Sequence, residues 1–389
     1  MVSLLLPLIY LAFVGLGLPD ALLGTAWPVM YSEIGADISW MGAISFIISL
    51  GTIISSLNSD RMTRRFGAGK VTAVSIAVTA IGLLGFSLTG KFWVMCLIAI
   101  PYGLGAGSVD AALNNYVAVH YASRHMSWLH CMWGLGASIG PYIMSFALSH
   151  GHWSTGYRLT GIIQVVVSAI LLLSLPLWKD RKAVSDETSA ASSAPLSLRQ
   201  VFAIPGVKGI IVTFFCYCAL EWTALQWATS YLVLHAGIEE STAASYAGMF
   251  LLGMTIGRAL SGFMTFKFND TQMIRIGSGV VFIGLLAMIL PLGVICTVIG
   301  LFALGFGCAP IYPSIIHSTP ILFGAERSQA IIGVQMAAAY TGSLIAPPIL
   351  GLIMQYITPG FYPWFVLIGL IAMTVGHEAL VKKCRPVSA

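Results

Sequence analysis

The sequence predicts an all-α integral membrane protein, with twelve spans in two six-helix halves around a central cavity. Three observations carry that reading. Of 389 residues, 58% are hydrophobic and 8% charged, and the mean hydropathy is +0.89. A water-soluble chain so poor in charge would expose large apolar patches. Apolar runs of ~20 residues, the length that crosses a bilayer, recur between short polar or Gly/Pro-marked turns. The two halves also echo each other at one constant offset.

The expected spans lie near 4–31, 39–59, 70–90, 93–120, 127–149, 157–178, 207–236, 242–265, 272–291, 294–322, 328–356 and 360–381. The first, "MVSLLLPLIYLAFVGLGLPD", has no Lys or Arg ahead of its apolar run and reads as a retained span, not a cleaved signal. The longest polar stretch, "KDRKAVSDETSAASSAPLSLRQ", divides the spans six and six. This gives an N-terminal bundle at 1–178, a cytoplasmic linker at 179–206 and a C-terminal bundle at 207–389. With both termini in the cytoplasm, 17 of the 19 basic residues fall on that side, and only Lys91 and Arg158 fall outside. The expected location is a cell (inner) membrane.

The repeat has an offset of 202. Gly35 matches Gly237, Gly51 matches Gly253, Arg65–Phe66 matches Lys267–Phe268, and Gly103-x-Gly105 matches Gly305-x-Gly307. Parallel repeats of this kind place a substrate site between them near the bilayer midplane.

Of fourteen acids, eleven fall in loops or at span ends, leaving Asp20, Asp110 and Glu221 within spans. An ionised carboxylate at that depth costs about 2.5–3.5 kcal/mol on insertion scales, so it faces a cavity, finds a partner or holds a proton. Proton coupling is the expectation for all three; a bond that merely ties two helices together is the alternative. In "GLGAGSVDAALNNYV", Gly103, Gly107, Asp110 and Asn114 recur at helical spacing on one face, with Asn115 about 100° around. An acid beside amides can donate to and accept from several solute hydroxyls. Asn114 and Asn115 are therefore expected to bind substrate.

The seventh span, "CALEWTALQWATSY", adds Gln226 and two stacking platforms, Trp222 and Trp227. In the tenth, Tyr312 is the offset partner of Asp110 and His317 that of Asn115. Both join the expected binding set, as does Gln335. The seven cysteines are scattered, six of them in apolar runs and none in a CxxC pair. Neither a disulfide framework nor a metal site is expected. The Gly-rich "GLGASIGPYIMSF" reads as a helix-packing element.

"SSLNSDRMTRRFGAGK" resembles the signature loop of the major facilitator superfamily, with Asp60, Arg61, Arg64 and Arg65 in place and Ser56 and Thr63 where that family has glycines. "GMTIGRALSGFMTFKF", with Arg258, resembles the counterpart in the second half. The resemblance implies that these residues help latch a cytoplasmic gate. Asp20 in "GLGLPDALLGTAWP" and Asp110 in the fourth span are similar to the acids of the fucose/glucose permease-like sugar:proton symporters. That resemblance implies proton coupling at Asp110, and gating or a second protonation step at Asp20.

The function expected is proton-coupled symport of a monosaccharide or similar polyol by alternating access. The expected partners are a small solute, protons and the lipid bilayer, and the expected state is a monomer. No cofactor is expected beyond the transmembrane proton gradient; sodium is the competing coupling ion. The rival readings are a drug or metabolite efflux antiporter and a non-transporting sensor on the same scaffold. No HExxH, nucleophile elbow or acidic metal cluster marks an enzyme, and nothing marks nucleic-acid binding.

Overall fold

The computed structural model describes residues 4–37, 40–178 and 196–383. Most of the expected linker (179–195, with Lys179, Arg181 and Lys182) and the tail carrying Cys384 and Arg385 lie outside the described residues. Among the described residues there is no strand, and twelve helical stretches are long and apolar enough to cross a membrane.

Ten of the twelve spans are unbroken helices. They are α3 (Met41–Phe66), α4 (Ala68–Leu88), α5 (Phe92–His120), α6 (Ser123–His150), α7 (Trp153–Leu173), α9 (Val207–Leu234), α10 (Glu240–Met264), α11 (Asp270–Ile289), α14 (Ala325–Tyr356) and α15 (Tyr362–Lys383). The other two are split. The first comprises α1 (Leu5–Gly17) and α2 (Leu22–Glu33), and the tenth comprises α12 (Val294–Cys308) and α13 (Ile311–Phe323). Both splits coincide with a proline, Pro19 and Pro310, whose nitrogen has no hydrogen to give the helical ladder. Asp20 sits in the first split. The expected linker also ends in structure: the short helix α8 (Leu198–Ala203) is opened by a reciprocal capping box between Ser197 and Gln200.

Two compact units emerge. The first holds Met1–Tyr116 and Leu129–Leu196, the second Val117–Trp128 and Ser197–Ala389. Val117–Trp128, expected in the N-terminal half, clusters instead with the second unit. Three contacts explain this. Ser123 donates to Asp270, the Tyr121 carbonyl faces His317, and the Trp128 ring lies against Gly262.

Within the first unit, α4 packs along α7, and α1 also meets α7. In the second, α9 packs on α14 and α15, while α12 takes α10 and α11. Large apolar side chains such as Ile81, Leu173, Ile283 and Val375 point outward. In lipid they gain nothing by turning inward, so helices associate through small residues and polar contacts.

The offset of 202 reappears as geometry. Gly35 and Gly237 both hold φ +67° just beyond α2 and α9, where only glycine adopts the left-handed turn without strain. Gly103 backs onto the carbonyl of Ile48, and Gly305 onto that of Phe250, the Ile48 counterpart. A Cβ at either position would overlap that carbonyl oxygen. Gly305→Ala is therefore expected to cost about 1–3 kcal/mol, the usual overpacking range. Gly279→Ala in α11, where an added Cβ meets nothing within 4 Å, should be neutral or stabilising. Thermal unfolding of the two variants in detergent checks the contrast; equal midpoints would contradict close α10–α12 contact.

The signature stretch packs tightly despite lacking the family glycines. Ser55 and Ser56 on α3 donate to the Leu104 and Gly107 carbonyls of α5, and Thr52 donates to the Gly103 carbonyl. The glycines that permit this approach lie on both helices, Gly103 and Gly107 on α5 and Gly51 on α3. "GLGASIGP" likewise serves packing, with Gly136 and Gly140 against the Val14 and Leu18 carbonyls at the end of α1.

Candidate functional site

In the first unit the polar stripe of α5 closes on a neighbour. The Asn114 amide nitrogen donates to Asp110 Oδ1 at 2.7 Å and to the Asp110 carbonyl at 3.0 Å. Its oxygen faces His130 Nε2 on α6 at 3.1 Å. Asn114 has no exposed surface, and Asp110 and His130 are each 5% exposed. Both ends of the Asn114 amide, expected to bind solute, meet protein partners in this structure. Asn115, one position on, is half-buried.

Asp20 behaves differently. The helix break after Gly17 leaves it exposed, and Trp133 Nε1 on α6 donates to its Oδ2 at 2.8 Å. Asp20 and Asp110 lie near enough for each to feel the other's charge. The first unit thus sets an exposed carboxylate near a buried one. His130 and Trp133, three residues apart on α6, escaped the sequence reading. A histidine inside an apolar span was the available signal.

In the second unit Glu221 is not a lone acid. Arg258 Nη2 reaches its Oε1 at 3.3 Å, and both side chains are buried. Arg258, expected at the cytoplasmic gate, forms a buried ion pair with Glu221. The pair lies beside Tyr217, which donates to the Cys308 carbonyl at 2.9 Å.

Three more residues of the expected binding set, Trp227, His317 and Gln335, make contacts within the protein. Trp227 donates to the Pro347 carbonyl at 2.8 Å and lies flush against Gly351, so it wedges α9 onto α14. His317 is held by Asp270 Oδ2 at 2.6 Å and by the Tyr121 carbonyl at 3.1 Å. Both of its ring nitrogens face acceptors. Asp270, which the sequence places among the span-end acids, is buried there and also accepts from Ser123. Gln335 is fully buried and accepts from Thr319 at 2.9 Å.

Gln226 and Trp222 are exposed on α9. Tyr312 is half-buried among Phe214 and Tyr217, its hydroxyl on the Met336 sulfur at 3.3 Å. Of the expected gate cluster, Arg64 Nε bonds Asp60 Oδ1 at 2.8 Å within one helix turn. Arg61 and Arg65 are exposed, with Arg65 over the Phe66 ring. At the far end of this unit Glu33 accepts from Trp153 and His152, and these donors hold its carboxyl below the usual carboxylate range. No group of three or more metal-ligating side chains occurs among the described residues.

A family model described as Major Facilitator Superfamily matches residues 9–347. The chain belongs to the major facilitator superfamily. Two relatives within it differ in cargo. The glucose/mannose transporter GlcP of Bacillus subtilis is 20% identical over 346 residues, 87% of this chain and 85% of that protein. The 4-hydroxybenzoate transporter PcaK of Pseudomonas aeruginosa is 22% identical over 374 residues, covering 84% and 83%. Among solved structures, the transporter FucP in its outward conformation superposes with a TM-score of 0.77. The two are 14% identical, and the match covers 97% of this chain and 98% of FucP. The fold is that of superfamily transporters, and the protein is a multi-pass membrane transporter of this superfamily.

Proposed function

We propose that this transporter carries a monosaccharide or similar small polyol together with a proton into the cell, from an inner membrane with both termini in the cytoplasm. The observation that carries the proposal is the first unit's pair of acids: Asp20 exposed at the helix break, Asp110 buried, each within reach of the other's charge. A buried carboxylate that gives up and takes back a proton changes the cost of enclosing cargo in an apolar surround. Glu221, the third acid expected to carry a proton, sits paired with Arg258. The exposed Gln226 and Trp222, with the half-buried Asn115 and Tyr312, are the remaining residues suited to meet hydroxyls and a sugar face. Sugar cargo is supported by the printed activities of GlcP and of FucP, described as a fucose:proton symporter. The functional state is a monomer, and the proton gradient is the energy source.

Uptake by proteoliposomes tests this. A panel of monosaccharides, 4-hydroxybenzoate and a lipophilic cation is offered with and without an inside-alkaline pH gradient. At least one monosaccharide should accumulate only with the gradient. Gradient-driven movement of the aromatic acid or the cation alone would overturn the sugar assignment. Saturable sugar binding without flux would make the protein a sensor.

A further inference from the structure

We propose that His130 is a positioning residue for Asp110: through the Asn114 amide it sets the pH at which that carboxyl takes up its proton. The inference rests on Asp110 being the coupling acid. It begins with an assignment that the chemistry decides. One end of the Asn114 amide faces the Asp110 backbone carbonyl, which can only accept, and the carboxylate oxygen Oδ1. That end is therefore the NH2 group. The other end is the carbonyl oxygen, and it faces His130 Nε2. His130 must then carry its hydrogen on Nε2, and a single donor chain runs from His130 through Asn114 to Asp110.

Each bond in such a chain polarises the next. With its oxygen engaged by His130, the Asn114 amide is a stronger donor to Asp110, and donation to a carboxylate favours its charged form. His130 is itself held in place. It is buried, and the Phe13 ring meets it edge-on with centroids 5.5 Å apart. Other groups around Asp110 act on it differently. Asp20, at the α1–α2 break, opposes its charge; Tyr102, on α5, feels Asp20; Trp133, on α6, donates to Asp20. From α3, the neutral Ser55 and Ser56 face the turns of α5 just before Asp110. His130 reaches Asp110 through the hydrogen-bonded Asn114 amide.

The test reads the Asp110 proton directly and needs no cargo. Purified full-length protein is titrated by infrared difference spectroscopy at the carboxyl stretch, with Asp110→Asn as the blank. His130→Ala should move the protonation midpoint upward by a few tenths of a pH unit, the fraction of a hydrogen bond to the charged form that polarisation supplies. His130→Gln places a non-titrating N–H donor at the same reach and should restore the wild-type midpoint. If His130→Ala does not fold, Asn114→Ala must show the upward shift in its place. An unchanged midpoint, or a glutamine variant that behaves like alanine, overturns the proposal. Reduced yield with an unmoved midpoint also overturns it, because that is what a purely structural role gives. A shifted midpoint in a protein whose uptake ignores pH supports the positioning role and overturns Asp110 as the coupling acid.

Discussion

Asp110→Asn is expected to abolish pH-driven accumulation of cargo while leaving exchange across a membrane without a gradient measurable. The magnitude follows from the driving force. One pH unit stores about 1.36 kcal/mol per proton, which for one proton per solute sustains about a tenfold accumulation. The variant cannot carry the proton, so the ratio should fall from about ten to one. Exchange should survive because the substitution is nearly isosteric and asparagine offers the same Oδ1 acceptor to Asn114 that the carboxylate does. Counterflow of labelled cargo, measured beside gradient-driven uptake, separates the two quantities. A tenfold accumulation retained by Asp110→Asn would remove this residue from the coupling step, and Asp20 would become the acid to test next.

The sequence displays Asp110 and Asn114 because they lie one turn apart on one helix, and the 3.6-residue period brings them together without help from the rest of the fold. His130 is invisible by the same logic. Its bond to Asn114 joins α5 to α6, and no local period records which residue on the neighbouring helix will arrive there. The glycine repeat is legible for a different reason. Gly103 and Gly305 each need an absent Cβ against a facing carbonyl, and that requirement leaves the same letter at the same offset. The break that exposes Asp20 was written in Pro19, yet an apolar run from residue 4 to 31 hides it from a count of hydrophobic residues. A motif read in sequence likewise says nothing of the acid 37 residues away that Arg258 meets. Trp227, His317 and Gln335 show the remaining difficulty. A polar or aromatic side chain in a span looks the same on paper whether it meets a solute or a neighbouring backbone, and here each has a protein partner.

The Glu221–Arg258 pair makes the second large prediction, and it concerns stability. Glu221→Gln leaves a guanidinium buried against an amide, and Arg258→Met leaves a carboxylate buried against a thioether. Removing one partner of a buried pair costs about 3–5 kcal/mol, because the stranded charge has lost the interaction that offset its desolvation. The double variant, Glu221→Gln with Arg258→Met, strands neither charge. It should lie well above the sum of the singles, with a coupling energy of about 2 kcal/mol, inside the range seen for residues in direct contact. The 3.3 Å separation argues for the middle of that range and against its top, since a close charge-assisted bond is nearer 2.7–2.9 Å. Unfolding midpoints of the four proteins in one detergent close the cycle. Strict additivity would mean that the two side chains are stabilised separately, and Glu221 would then return to the set of acids free to exchange a proton.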